Sequence, residues 1–434
     1  MNVLSLTHAH LNPDGLSPVS CERADSITGT WAGRLGWSVD VVYTAGTKWP
    51  GIWPGGKGLK INIITEQAPE GTLMGAQELF AVRMKQHIAS KQFGAVAGLV
   101  QQRMQKRLRA ALSARGLANP HELHVAAQWG AHLAKLPAIR NKRYDFIFVC
   151  VGYGDEYLLE TGHTLSTLLN VPMVVDFRDL WSGHHEAERF THRQRGIIRK
   201  HEQRLLNTTK LISVPQTHMA ALLREWVKCD VYLLSHSAYV DPAWADGQVI
   251  SDTFTMLYAG KLYPDGPGIR MLLQMIKNLA ALVHKPFTCR FFVDNPTRLK
   301  EMAAEYGVTE YIQPNGWVSP GDLWKEIRSA HLLVIPDLGV AEDHPILPTK
   351  TFQYAYSGRQ ILCLFRYMNE EMKEFLHNEQ AGAIYTNVDE ATAWVQKMAG
   401  DNALYTTMPA LRNIPMREDI AATYGGEVAK TLRQ

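Results

Sequence analysis

At 434 residues, 46% apolar and 20% charged, the chain is a folded globular protein too long for one ordinary core and fits two domains of roughly 200 residues each. A formal net charge of +3 is too small to argue for nucleic acid binding by overall charge, so any basic partner surface has to be local. Five cysteines (Cys21, Cys150, Cys229, Cys289 and Cys363), odd in number and without a C-x-x-C spacing, speak against a disulfide framework and a thiolate metal site and for a reducing compartment.

Residues 1–15 lack the basic region and apolar run of a signal peptide, and no stretch approaches ~18 uninterrupted apolar residues. The expected location is the cytoplasm, with peripheral contact at the inner membrane face left open. Residues 2–7 read as a strand entering a polar, glycine-bearing loop over 8–18; residues 19–35 read as a helix closed by Gly36, and 39–44 as the next strand. Such a unit crosses over right-handed and makes its sheet parallel. Ligands of parallel sheets sit beyond the carboxyl ends of the strands, which puts the loop from His8 to Gly15 at the expected site. His8 and His10 have no Cys, Asp or Glu at ligand spacing, so no metal is expected there. Residues 48–57, KWPGIWPGGK, are too rich in proline and glycine for regular structure; their tryptophans either stack on a sugar or anchor the loop.

Residues 79–120 contain no acidic side chain. Within them Val100, Met104, Leu108 and Leu112 recur at helical spacing, with Arg103, Lys106 and Arg109 on other faces. This basic amphipathic helix either packs on its own domain or docks, through Arg103, Lys106 and Arg107, on an anionic membrane surface or a polyanionic acceptor, nucleic acid included.

Residues 145–151 and 172–177 are nearly all apolar, as central parallel strands buried on both faces are. Gly152 and Gly154 follow the first and suggest a phosphate loop, although two glycines make no dinucleotide fingerprint. The second delivers Arg178 and Asp179 to a strand end, where charges are costly unless they pair with each other or bind something. Residues 186–206 form another basic, helix-patterned segment, followed by a strand at 211–214 and a helix at 217–227. Residues 234–249 have no clear period and read as a linker.

Residues 253–259, TFTMLYA, open a second α/β domain and deliver Gly260 and Lys261 into a loop well placed to neutralise a diphosphate. A strand core follows at 290–293. Gly316, Trp317 and Val318 precede a helix start marked by Ser319 and Asp322. The buried strand at 331–336 leads into a polar loop carrying Glu342 and Asp343. Residues 345–364, PILPTKTFQYAYSGRQILCL, place Thr349 and Lys350 at a helix start, a break at Gly358 and a strand from 360. The free N–H groups of a helix N-terminus suit a phosphate or diphosphate beside Thr349 and Lys350. No Ser-His-Asp arrangement, Walker sequence, zinc finger or internal repeat is visible.

Three strings carry a resemblance: VVDFRDLW at 174–181, YAGKLY at 258–263, and the pattern P-x-K-x-F-[E/Q]-Y-x-x-x-G-x-x-I-L at 348–362. In order, and along nearly the whole chain, they resemble the retaining GT-B glycosyltransferases of the large family that includes bacterial cell-surface sugar transferases. The resemblance implies an α/β fold of two Rossmann-like domains facing a deep interdomain cleft. Residues 1–235 are then the acceptor-side domain, 236–252 the linker, 253–408 the nucleotide-sugar-binding domain, and 409–434 a helical tail crossing back to the first domain. It implies glycosyl transfer from a nucleotide-sugar with retention at the anomeric carbon, without metal or other cofactor.

By the same resemblance Arg178 and Asp179 stand beside the reacting sugar, where family members often carry His-Asp. Lys261 matches the first of two diphosphate-binding cations; Gly266 stands at the second, which leaves Lys350 to supply more of the counter-charge. Gly15, Gly260 and Thr349 fall in the donor-binding segments, and Trp317 and Val318 where the nucleobase is touched, unless Trp317 is a packed aromatic. Gln353 occupies the position of a ribose-binding glutamate. The expected acceptor is a glycan or lipid-linked glycan at the membrane surface. A modified nucleic acid acceptor is one alternative. A non-catalytic GT-B binding or partner subunit is the other, since Pro345 and Gln353 replace the usual glutamate pair.

Overall fold

A computed structural model of the chain describes residues 1–6, 19–44, 61–66, 120–152, 157–183, 191–238, 240, 244, 250–262, 267–282, 286–339, 346–401, 404 and 407–434. They form two compact units, Met1–Ser235 with Glu418–Gln434, and His236–Arg417.

In the first unit the described elements are β1 (Asn2–Leu6), α1 (Val19–Arg34), β2 (Ser38–Thr44), β3 (Ile61–Glu66), α2 (Pro120–Leu133), α3 (Pro137–Arg140), β4 (Phe146–Val151), α4 (Tyr157–Leu169), β5 (Met173–Phe177), α5 (His192–Leu206), β6 (Thr209–Val214), α6 (Thr217–Arg224) and β7 (Asp230–Leu233). The strands make a seven-stranded sheet, β3-β2-β1-β4-β5-β6-β7, in which every pair is parallel. β4 and β5 are buried at every position, which is why their sequences are apolar without alternation. The order reverses between β1 and β4, and at such a switch the loops diverge to leave room for a ligand.

The second unit holds β8 (Phe254–Gly260), α7 (Pro267–Leu282), β9 (Phe287–Val293), α8 (Pro296–Tyr306), β10 (Ile312–Asn315), α9 (Pro320–Ser329), β11 (Leu332–Pro336), α10 (Lys350–Tyr356), β12 (Gln360–Leu364), α11 (Glu370–Asn378), β13 (Gly382–Tyr385), α12 (Val388–Ala399) and the start of α13 (Arg417–Thr431). Its six-stranded sheet, β10-β9-β8-β11-β12-β13, is also parallel throughout. The carboxyl ends of all six strands therefore line one edge.

Helix limits follow local chemistry. Thr191 and Gln194 form a reciprocal capping box that starts α5 at His192. Ser319 accepts from the Asp322 N–H and starts α9, as its sequence position predicts. Residues from the stretch read as a linker build into the second unit: Ala238 forms a parallel bridge with Met416, and the Ser251 N–H donates to the Ser329 carbonyl at 3.1 Å.

The chain then returns. The Arg417 N–H still donates to Ala238 in the second unit, and from Glu418 onward α13 belongs to the first. Tyr424, fully buried, lies against Trp31 and stacks on Tyr232 with ring centroids 5.6 Å apart. The Trp31 indole N–H donates to the Ala421 carbonyl at 3.0 Å. Burying rings of this size contributes roughly 2–3 kcal/mol each.

Candidate functional site

In the second unit the site is built on the end of β8. β11 pairs with β8 only at Met256 and Leu257, while β9 follows it to Gly260, so the β11 side of Ala259 has no strand partner. A buried backbone left open in this way needs other partners. α10 provides both, one turn apart: the Tyr354 hydroxyl accepts from the Ala259 N–H at 3.0 Å, and the Lys350 ammonium donates to the Ala259 carbonyl at 2.8 Å. Lys350 Nζ also lies 4.6 Å from the centre of the Tyr258 ring, a cation–π contact.

Gly260 sits at φ +155°, a backbone conformation that residues with a side chain rarely adopt, and Lys350 Nζ fills the space its β-carbon would take. The following loop is fixed by its own bonds. The Tyr258 hydroxyl donates to the Lys261 carbonyl at 2.7 Å, and Asp294, at the end of β9, accepts from the Leu262 N–H at 2.7 Å. The Lys261 side chain is exposed. Among the described residues no carboxylate pairs with Lys350, and burial lowers its pKa to about 8, so the group stays mainly protonated at neutral pH. The Lys350 ammonium, beside a residue without a side chain, can stabilise an oxyanion set against Gly260.

α10 is seven residues long and begins at Lys350, with Thr349 just before it. Thr349 is helical, and its side chain caps nothing. The Thr351 and Phe352 N–H groups donate back to Pro348 and Thr349, which uses donors the sequence reading had left for an anion. The positive charge at this end comes chiefly from the Lys350 side chain. Gln353 is half-buried on the same helix.

Trp317 and Val318 follow β10, two strands from β8 and so about 10 Å along the sheet edge. Trp317 is 48% exposed, while Val318 packs partly on the core. Sequence reasoning missed Asp337, the first residue beyond β11. It is buried, accepts from the Gly339 N–H at 2.6 Å and from the Arg366 N–H and Nε at 3.1 and 2.9 Å, and so fixes the turn leaving β11. Its signal was a carboxylate directly after an apolar strand.

In the first unit Arg178 and Asp179 do pair, Nη2 to Oδ2 at 3.1 Å, and both remain partly exposed beyond β5. The Arg178 N–H donates to Val151 at 2.7 Å, and its guanidinium lies against Gly152, where a β-carbon would stand 2.5 Å from Nη2. Gly152, read as a phosphate-loop glycine, makes room for that arginine. The turn after β5 is held from α5 by Glu202, which is fully buried and accepts from the Ser182 hydroxyl and N–H at 2.5 and 3.2 Å. Burial raises the Glu202 carboxyl against those hydrogen bonds.

Gly15, Arg103, Lys106 and Arg107 lie outside the described residues, as do His8, His10, the 48–57 loop, Gly154, Glu342 and Asp343. Among the described residues no group of three His, Cys, Asp or Glu side chains could hold a metal ion, and no helix is long and apolar enough to cross a membrane.

No family model and no curated protein matches the sequence. Solved structures match over the whole chain. Sucrose-phosphate synthase from Thermosynechococcus elongatus is 12% identical with a TM-score of 0.58, covering 99% of this chain and 98% of that one. The lipopolysaccharide outer core galactosyltransferase WaaB is 9% identical at 0.54, covering 99% of each chain. Anabaena HepE, solved with UDP and glucose, is 12% identical at 0.54, covering 100% and 99%. Two parallel-sheet units with this likeness give the chain the GT-B fold, the fold of these glycosyltransferases.

Proposed function

We propose that the protein is a glycosyltransferase that moves a sugar from a nucleotide-sugar to a glycan or lipid-linked glycan, with retention at the anomeric carbon and without a metal ion. The observation that carries the reading is the Lys350 ammonium seated against Ala259 and Gly260 at the carboxyl edge of the second sheet. There it and Lys261 stand where a donor diphosphate would need counter-charge, with exposed Trp317 farther along the same edge for the base. HepE is solved with UDP and glucose, and WaaB is a lipopolysaccharide galactosyltransferase; both support this class of donor and acceptor.

Chemically, the sugar–diphosphate bond breaks with its electron pair going to the phosphate oxygen, and the acceptor hydroxyl bonds to the anomeric carbon on the face just vacated. The hydroxyl proton leaves with the departing phosphate. The barrier lies in charge building on that oxygen, so Lys350 and Lys261 act chiefly by stabilising it. Arg178 and Asp179, fixed beyond β5, are the groups proposed beside the reacting sugar.

The test is a thermal-shift and calorimetric screen against nucleoside diphosphates and nucleotide-sugars, with divalent metal and with chelator. Selective stabilisation by one nucleotide, equal in both conditions and weakened in Lys350→Met, is expected. Silence across the set would favour a binding or partner subunit over an enzyme. Binding that requires metal would overturn the metal-free mechanism, and inversion in the product would overturn retention.

A further inference from the structure

α5 segregates its charges without exception. Its one acid, Glu202, is buried with Gln194, Ile198, Leu205 and Leu206 on the side facing the first unit. The opposite side exposes His192, Arg193, Arg195, Arg199, Lys200 and Arg204 and no acid. At 100° per residue these positions sweep about half the circumference, and fifteen residues extend it for about 22 Å. Arg204 pairs with Glu160 on α4 at 3.1 Å, while Arg193, Arg195, Arg199 and Lys200 form no ion pair with a described carboxylate. Exposed helices usually alternate charge sign and gain from pairs three or four residues apart, whereas the exposed face of α5 has no acid of its own to pair with. Gly196 lies in the middle of the face with no neighbouring atom within 4 Å of its β-carbon position, so the face is open there.

We propose that the exposed face of α5 is a docking surface for an anionic lipid bilayer. A flat surface dense in negative headgroups complements a helix face whose exposed arginines and lysine run from Arg193 to Arg204, about 16 Å. The apolar side of α5 is already committed to the core, so the contact is electrostatic and peripheral, without insertion. Two observations favour lipid over nucleic acid. The helix, HRQRGIIRKHEQRLL, has no Phe, Tyr or Trp to stack on bases, and the chain as a whole is only +3. This dock is separate from the basic segment around Arg103 and does not depend on the catalytic reading.

The experiment is co-sedimentation of the full chain with vesicles of phosphatidylglycerol and phosphatidylcholine, against phosphatidylcholine alone, at low and high salt. The wild type should bind only the anionic vesicles and be released as salt shortens the screening length. Arg193→Gln/Arg195→Gln/Arg199→Gln/Lys200→Gln should weaken binding about fivefold per cation removed, several hundredfold in all, at unchanged urea midpoint. The single changes Arg193→Gln and Arg199→Gln, each expected to cost about fivefold, decide the matter if the quadruple variant is unstable. Equal binding to neutral vesicles, an unweakened quadruple variant, or loss confined to Arg103→Gln/Lys106→Gln/Arg107→Gln would overturn the proposal. So would tighter binding to an oligonucleotide than to the anionic vesicles.

Discussion

Arg23 and Asp176 meet in a two-point ion pair, Nε to Oδ2 at 2.7 Å and Nη2 to Oδ1 at 2.9 Å. The Asp176 side chain is fully buried inside β5 and also accepts from the Ser213 hydroxyl at 2.7 Å; Ser213 in turn reaches the Tyr424 hydroxyl at 2.9 Å. Burial pushes the Arg23 guanidinium down, and the charge and hydrogen bonds of Asp176 more than reverse it. Removing one partner strands a buried charge, so Asp176→Ala should destabilise the first unit by about 3–5 kcal/mol in urea unfolding. Arg23→Met with Asp176→Leu should recover most of that loss. A wild-type midpoint in the alanine variant would mean that the pair holds nothing.

Lys350 and Tyr354 grip the two backbone groups of Ala259, but their roles should separate. A bound diphosphate raises the pKa of the ammonium, so binding above about 8 takes up a proton. Donor affinity should therefore fall as pH rises through that value, by up to about tenfold per pH unit, and calorimetry in buffers of different ionisation heat measures the uptake. Lys350→Met should abolish the dependence. Tyr354→Phe leaves a buried N–H unpaired and should cost roughly 1–3 kcal/mol of stability while leaving the pH slope in place. A slope that survives in Lys350→Met would assign it to another group.

His331 gives the second unit an acid-sensitive point. Its Nδ1 accepts from the Thr255 N–H at 3.0 Å, so the ring is held neutral. Burial first, then the charges of Arg359 and Arg290, lower it from 6.5 to about 4. Between those values the unfolded chain binds more protons than the folded one. Stability from this group is therefore complete above about 6.5 and is lost as pH falls toward 4, with a slope of at most about 1.4 kcal/mol per pH unit. His331→Asn keeps an acceptor for Thr255 and should flatten the urea midpoint across that window; a parallel curve would refute the assignment.

Trp317 contributes little to packing at 48% exposure. Trp317→Ala should move the unfolding midpoint by no more than about 0.5 kcal/mol yet weaken a nucleotide by about 1 kcal/mol through lost stacking, read by calorimetry against the base-free sugar phosphate. Equal affinity for the nucleotide in both proteins would place the base elsewhere.

The inner strands of both sheets were legible because burial on both faces leaves an unbroken apolar run, as at 146–151 and 332–336, whereas the edge strands β3, β7, β10 and β13 went unread. The cap at Ser319 was legible because its partner is three residues away. What escaped depends on partners far along the chain. Nothing in VVDF indicates that Asp176 will meet Arg23, 153 residues earlier. The positive φ of Gly260 and the seat of Lys350 against it are visible only in the fold, as is the Arg178 guanidinium against Gly152. Thr349 stands at the helix start as read, but the carbonyl of Pro348, just before it, takes the Thr351 N–H and tightens the first turn. Glu202 was lost among the cations of a segment read as uniformly basic.

The bond from Trp31 to Ala421 spans 390 residues, with the whole second unit made in between. On the ribosome, the cluster on the sheet face carrying Val3, Phe146 and Phe148, already lined by Trp31 and Trp37, stays incomplete until Tyr424 and Val428 emerge to join it. The half that is translated first is thus completed last. A premature stop at codon 418 would leave a finished second unit attached to a first unit with an open seam, and the damage would appear at the opposite end of the protein from the lesion in the gene.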